Sequence, residues 1–528
     1  MTIEPENEAE RLLLEKAQSG GRADVSDLSD PTVRAALLYG LCVHPDDHGV
    51  GPKGIKLRGA RVTGKLDFEG TTVVRPVWLW KCHFEAPIIL RDARTRTVGF
   101  DGSTVPGISA DRLRTEGMLS LRGVKIKGEV RLIGANINGN FTCSAATLEN
   151  PGGNALNADG ITVTGDVFLD RGFAAKGEVR LIGSKIGGNL VCREATFNNT
   201  KKDALSLDRV TVREDIFLDE GFKAKGNVRL LGARIEGGLS CDDATFDAGS
   251  PDEDAFSAGR MNVQGLFEWR LERAPVGVVS LDHAHVGRLV DDARSWPAPG
   301  RLNLDGFTYD SLAGNAPVGW RERRRWLELQ WHEDFRPQPY EQLVAVLRRM
   351  GHDRDARQIA IAKQDAYLKK GDPSRRRRLW MGFLRITIRY GNEPWRALGY
   401  MAFAVYFAWM IFTNAYHYGF MHPSKERVYL HDCYTGQMSR CKGWSTFDRR
   451  WSGDPIQLPA DYPEFNSFIY SVDTFLPIVD LHQENYWLPR GDGDWGWFFR
   501  LYLWLHIVAG WVLTSVAVAG LTPLIKKD

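Results

Sequence analysis

The chain is poor in cysteine, with seven among 528 residues and no CxxC pair. That excludes a disulfide-framed miniature scaffold, a zinc ribbon and a thioredoxin-type motif. It has no marked excess of either charge, since 68 Lys and Arg stand against 66 Asp and Glu. A uniformly basic body is therefore excluded, and no nucleic-acid partner is expected. A mean hydropathy of -0.30 rules out a polytopic transporter and leaves room for one or two spans at an end. The acidic N-terminus lacks the basic region with which a secretory signal begins. No P-loop, HExxH or GxSxG is present. The one GxGxxG match, Gly491 to Gly496, follows a polar stretch and opens an apolar run. It does not join a strand to a helix, so it reads poorly as a pyrophosphate seat. His283 and His285 share a strand face by spacing but have no evident third ligand. No catalytic residue, metal or cofactor is expected.

Glycine, by contrast, is abundant, with 54 residues against a usual share of about 7%. Much of it lies in a repeat. GEVRLIGANINGNFTCSAATL begins at Gly128, GEVRLIGSKIGGNLVCREATF at Gly177 and GNVRLLGARIEGGLSCDDATF at Gly226, an offset of 49 residues each time. Cys143, Cys192 and Cys241 fall in register, and weaker copies open at Gly54, Gly277 and Gly300. A fixed period means stacked units that cannot bury their faces alone. Short alternating runs such as Val130-x-Leu132 and Phe141-x-Cys143 read as strands, with Gly and Asn at the corners. The spacing predicts a mainly β solenoid over 54–315 with two coils per 49-residue unit, and apolar residues about five apart, such as Leu132 and Ile137, resemble the pentapeptide-repeat pattern, which implies a right-handed wind. The aligned cysteines then form an inward stack of small apolar side chains. Polar insertions at Glu149–Asn154, Asn198–Asp203 and Asp247–Asp254 recur at one place in each unit and read as loops along one edge, the candidate surface for a protein partner.

Around the solenoid, residues 1–53 read as a helical cap, and 316–372 as a helical hairpin whose Tyr340-x2-Leu343-x3-Leu347 pattern resembles a tetratricopeptide-like unit. Residues 373–396 read as a basic amphipathic helix at a lipid surface, with Arg375, Arg376, Arg377, Arg378, Arg385 and Arg389 interleaved with apolar residues. Residues 397–528 form a membrane domain with spans at 397–414 and 501–522. The arginines before the first span and Lys526 and Lys527 after the second predict that both termini are cytoplasmic and 419–495 outside. Cys433 and Cys441, alone in the outer loop, are the candidate disulfide.

Within that loop, residues 465–481 are apolar enough to enter a membrane and too short to cross it, with Pro477 ending any helix. A short helix and a bend between two spans resemble the two-span, pore-loop cation channels, which assemble as tetramers. The sequence departs from the potassium channels at the filter, where Thr474 to Asp480 reads TFLPIVD and contains no Gly-Tyr-Gly. Carboxylate rings are the expected substitute, with Asp473, Thr474, Asp480 and Glu484 as pore-lining candidates.

The order of cap, solenoid, hairpin and membrane pair also resembles bacterial proteins often labelled "membrane-associated oxidoreductase" or pentapeptide-repeat-like. GIKLRGARVTGKLDF, YEQLVAVLRRMGHDRDAR and YSVDTFLPIVDLHQE carry the match. The resemblance implies a bacterial inner-membrane location, but no residue pattern supports the oxidoreductase label. Two function classes remain: an oligomeric channel with a cytoplasmic solenoid, and a membrane-anchored solenoid scaffold that binds a protein partner.

Overall fold

The computed structural model describes residues 4–330, 335–435, 441–447, 456–491 and 495–525. It contains two compact units, Met1–Lys363 and Gln364–Asp528.

In the first unit, helix α1 (Glu8–Ser19) starts where the Asn7 side chain accepts the Glu10 N–H and stops at Gly20, whose φ of 73° is left-handed. Glu10 is fully buried and bonds to Arg34, with contacts of 2.9 and 2.7 Å. Burial pushes its carboxyl up, but hydrogen bonds from Arg34 and two backbone N–H groups outweigh this and hold it below the usual range. Helix α2 (Ala35–Val43) follows two short strands that already pair into the solenoid, Ala23 beside Leu57 and Thr32 beside Arg61.

From Ile55 to Leu312 the chain winds through about 11 turns of a parallel β-solenoid. Most of its strands are only two residues long, and they assemble into sheets of 21 and 16 strands. Such a strand holds because each rung donates to and accepts from the rungs on either side. Phe141, Val167, Leu190, Ile216 and Leu239 lie in one column, so each 49-residue repeat is two coils.

Inside the coils, Cys143, Cys192 and Cys241 are free, fully buried thiols that alternate with Leu169 and Leu218. Burial pushes all three thiols well above their ordinary range, so they pack as apolar groups rather than as metal-binding thiolates. A second column stacks Phe173, Phe197, Phe222 and Phe246 at centroid distances of 5.4, 5.4 and 5.6 Å, and Trp269 closes it at 5.2 Å from Phe246. The repeated Arg of VRL, itself half-buried, clamps an Asp from the preceding rung, and Asp111 and Asp208 are buried beneath it. The pairs are Arg131–Asp111, Arg180–Asp159 and Arg229–Asp208, and each Asp also accepts a backbone N–H, from Ile133, Ile182 and Leu231 respectively.

The first two polar insertions are not free loops. Thr147–Asn157 and Thr196–Ser206 are continuous strands in which four residues bulge opposite one glycine, Gly177 or Gly226. Gly177 has φ 116°, and a Cβ there would lie 2.5 Å from the Asn150 carbonyl oxygen. This is why the repeat opens on glycine. His283 and His285 do not share a strand face: His283 sits in a turn at φ 53°, while His285 starts a strand and bonds to Thr308.

The last strand, Thr308–Leu312, is capped by helices α3 (Trp320–Glu328), α4 (Gln338–Arg349) and α5 (Asp353–Lys370). Gln338 Nε2 donates to Phe307 O at 3.0 Å and Gln342 Nε2 to Tyr309 O at 2.6 Å, so side chains occupy the carbonyls of the terminal rung. Arg323, fully buried, forms a bidentate pair with Asp291 at 2.9 and 2.6 Å.

A fragment ending at Lys363 should therefore be soluble and monomeric by light scattering, whereas one ending at Asn315 should aggregate through its uncovered edge. Leu181 is fully buried. Leu181→Asp should cost on the order of 4 kcal/mol, because it leaves a carboxylate without a partner inside the coil. Chemical denaturation of the 1–363 fragment measures this, and a variant of unchanged stability would remove the packing assignment.

Candidate functional site

The second unit contains helices α6 (Arg375–Thr387), α7 (Trp395–His417), α8 (Glu426–Tyr429), α9 (Asp432–Thr435), α10 (Ser467–Phe475) and α11 (Gly496–Ile525). Helices α7 and α11 are long and apolar enough to cross a membrane, and only 17% and 28% of their apolar windows are buried. A core helix of a soluble protein is mostly covered, so these two present apolar faces to whatever surrounds the unit.

The segment between them has its own framework. Met421–Pro423 pairs antiparallel with Trp487–Pro489, and Trp444–Phe447 with Ile456–Pro459. Cys433 and Cys441 form a disulfide, with their Cα atoms 6.1 Å apart. Phe412, Phe465, Tyr470 and Trp487 share one buried aromatic cluster, with Phe412 edge-on to Tyr470 at 4.9 Å.

Helix α10 begins where Asn466 accepts the N–H groups of Phe468 and Ile469, at 3.1 and 3.0 Å. It packs against both α7 and α11. Thr413 Oγ1 lies 2.8 Å from Ser467 Oγ, and His506 Nε2 lies 3.0 Å from the Ser471 carbonyl oxygen. Its far end meets α11 at Gly510, midway along that helix, where a Cβ would stand 1.9 Å from Phe475 O. The helix ends at Leu476, Pro477 follows, and the chain turns back.

Asp473 fastens the return limb. It is 5% exposed, and its two carboxylate oxygens accept the N–H of Leu481 at 2.6 Å and of Glu484 at 2.9 Å. Gln483, also buried, accepts the Asn466 N–H at 3.2 Å and donates to Glu464 O at 3.3 Å. His482 takes a left-handed φ of 63° between these anchors. Thr474 is buried, its Oγ1 donating to Tyr470 O at 2.7 Å. Asp473 and Thr474 thus face inward, while Asp480 and Glu484 lie on the surface, as does Ile478, which is 83% exposed. Asp480 is 2.8 Å from His482 Nδ1. Although Glu484 reaches the surface, its partial desolvation, and then the neighbouring charges of Asp473 and Asp480, push its carboxyl above the usual range.

The arginines of α6 and of the turn after it divide into two groups. Arg375, Arg376, Arg377 and Arg378 are all exposed, and Arg378 reaches Asp372 at 3.8 Å. Arg385 pairs with Asp365 at 3.2 Å and Arg389 with Glu393 at 3.5 Å. Lys526 and Lys527 lie outside the described residues, as does the middle of the Gly491–Gly496 motif.

Sequence reading passed over Gly510, His506 and Gln483. A glycine and a histidine inside an otherwise apolar run were the available signal for the first two. It also passed over a cavity of about 610 Å³ on the solenoid, lined by Lys202, Asp203, Asn227, Arg229, Asp254 and Ser280 among others. The second and third polar insertions supply part of its wall, through Lys202, Asp203 and Asp254, and the neighbouring rungs supply the rest, through Asn227, Arg229 and Ser280.

Asp473→Ala should destabilise the segment between α7 and α11 by about 2–4 kcal/mol, because two buried N–H groups lose a charged acceptor. Asp480→Ala should leave stability unchanged. Thermal unfolding of the detergent-solubilised chain reads both, and equal effects would contradict the anchoring role of Asp473. No family model, curated protein or solved structure matches this chain.

Proposed function

We propose that this chain is the subunit of an oligomeric, cation-conducting membrane pore that carries a solenoid on its cytoplasmic side. In this reading α7 and α11 cross a bacterial cytoplasmic membrane, both termini are cytoplasmic, and residues 465–481 re-enter the bilayer from outside. The coils wind right-handed, the sense parallel crossovers adopt almost throughout. The observation that carries the proposal is the position of α10, a nine-residue apolar helix wedged between two span-length helices and ending beside the midpoint of α11. Irregular backbone at that depth is tolerated only where protein or a water-filled cavity lines it. Asp473, Gln483 and His506 supply the polar partners. The exposed Ile478, Asp480 and Glu484 are then left for an axis shared with other copies, four by the layout resemblance. Asp480 and Glu484 form acidic rings that concentrate cations at the mouth.

A second reading, the membrane-anchored scaffold, is favoured by the solenoid cavity of about 610 Å³, whose carboxylate, amide and hydroxyl lining suits a polar partner. Planar-bilayer recording of the reconstituted protein separates the two. Asp480→Asn should lower cation conductance or selectivity with assembly intact. Current should also fall on outside acidification at a pH above that of an ordinary carboxylate. Glu484 has its acid form favoured by burial and by Asp473 and Asp480, so it loses its charge first as pH drops. Glu484→Gln should remove that component. A monomer that passes no current would leave the scaffold as the better account.

A further inference from the structure

We propose that the exposed face of α6 is a docking surface for anionic phospholipid, with the headgroup phosphate held by Arg375 and Arg376. The inference rests on reading α7 and α11 as spans, but not on conduction. Helix α6 is apolar on two sides. Phe383, Leu384 and the following Ile388 pack against Ala397 and Met401 at the start of α7 and against Val516 and Ala517 near the end of α11. The helix therefore lies where the ends of both spans meet. At about 100° per residue, Leu379 and Ile386 fall on the side away from Met381 and Ile388, with Trp380 at its margin. Leu379 is 77% exposed, Trp380 55% and Ile386 60%, and the Trp380 ring stacks on Phe383 at 5.5 Å. A stripe of this kind beside two spans matches an interfacial helix whose apolar side sits among acyl chains.

The cations are sorted around the same stripe. Arg377 lies over the Tyr367 ring at 5.1 Å, Arg378 faces Asp372 at 3.8 Å, and Arg385 pairs with Asp365 at 3.2 Å. Those three are occupied. Arg375 and Arg376 are exposed, with no ion-pair partner among the described residues. By helical rotation they fall on opposite flanks of the apolar stripe, at its N-terminal end. Two unpaired guanidinium forks bracketing an apolar stripe fit a molecule with an anionic phosphate head and hydrocarbon tails. A nucleic acid would use the charge and leave the stripe in water, and a neutral lipid would do the reverse.

The test uses the full chain in neutral detergent, mixed with phosphatidylglycerol or phosphatidylcholine, and counts retained lipid by native mass spectrometry. Phosphatidylglycerol should be retained preferentially. Arg375→Gln combined with Arg376→Gln should weaken it about twenty-fivefold, roughly fivefold per arginine near an anionic surface, with phosphatidylcholine unchanged. Trp380→Ala should weaken both lipids. Equal retention of the two lipids, wild-type binding by the double variant, preferential retention of a short RNA, or crosslinking of Trp380→Cys between protomers would each overturn the proposal. Alkaline extraction of membranes keeps the premises apart. Release of the chain overturns the spans themselves, whereas a chain that stays in the membrane without phosphatidylglycerol preference overturns only the lipid site.

Discussion

Strands of two residues cannot satisfy their own backbone, so every rung of the solenoid depends on the rung before and the rung after it. Most of what is distinctive in the first unit answers that dependence. The interior columns of Cys, Leu and Phe repeat because each coil must present the same small or flat group to its neighbours. The Arg–Asp clamps join rungs that the short strands join only weakly. The two ends, where one neighbour is missing, are covered by other means. At the start, α1 and α2 alternate with strands that pair into the coil. At the finish, Gln338 and Gln342 place side-chain amides where the next rung's N–H groups would be.

The second unit meets the same backbone requirement with side chains instead of repetition. Between α7 and α11 the chain runs down a short helix and returns without regular structure, so its polar groups have no ladder to join. Asp473 and Gln483 take that role one contact at a time, and His506 of α11 holds the helix itself at the Ser471 carbonyl. The Asp473 carboxylate is therefore engaged in holding the return limb, whereas Asp480 and Glu484 stay exposed. The close approach of Phe475 to Gly510 fixes how deep the helix reaches, since any larger residue in α11 would push it away.

The sequence by itself determined the elements that repeat or persist. A 49-residue period, aligned cysteines and alternating apolar pairs are enough for stacked coils, because a solenoid is built from contacts between equivalent positions and its pattern is written once per unit. Two charge-free runs sufficed to locate α7 and α11, and two lone cysteines between them sufficed for the disulfide. The tertiary structure alone decided what depends on distant partners. Asp473 and Asp480 stand in one short stretch with the same chemistry, and only the fold turns one inward to two N–H groups and leaves the other in solvent. The polar insertions look like loops in sequence, yet the neighbouring rung, whose glycine leaves room for a bulge, draws two of them into the sheet. Composition and periodicity describe one chain segment at a time, whereas burial, register and carboxylate direction are set by which segments come to lie against each other.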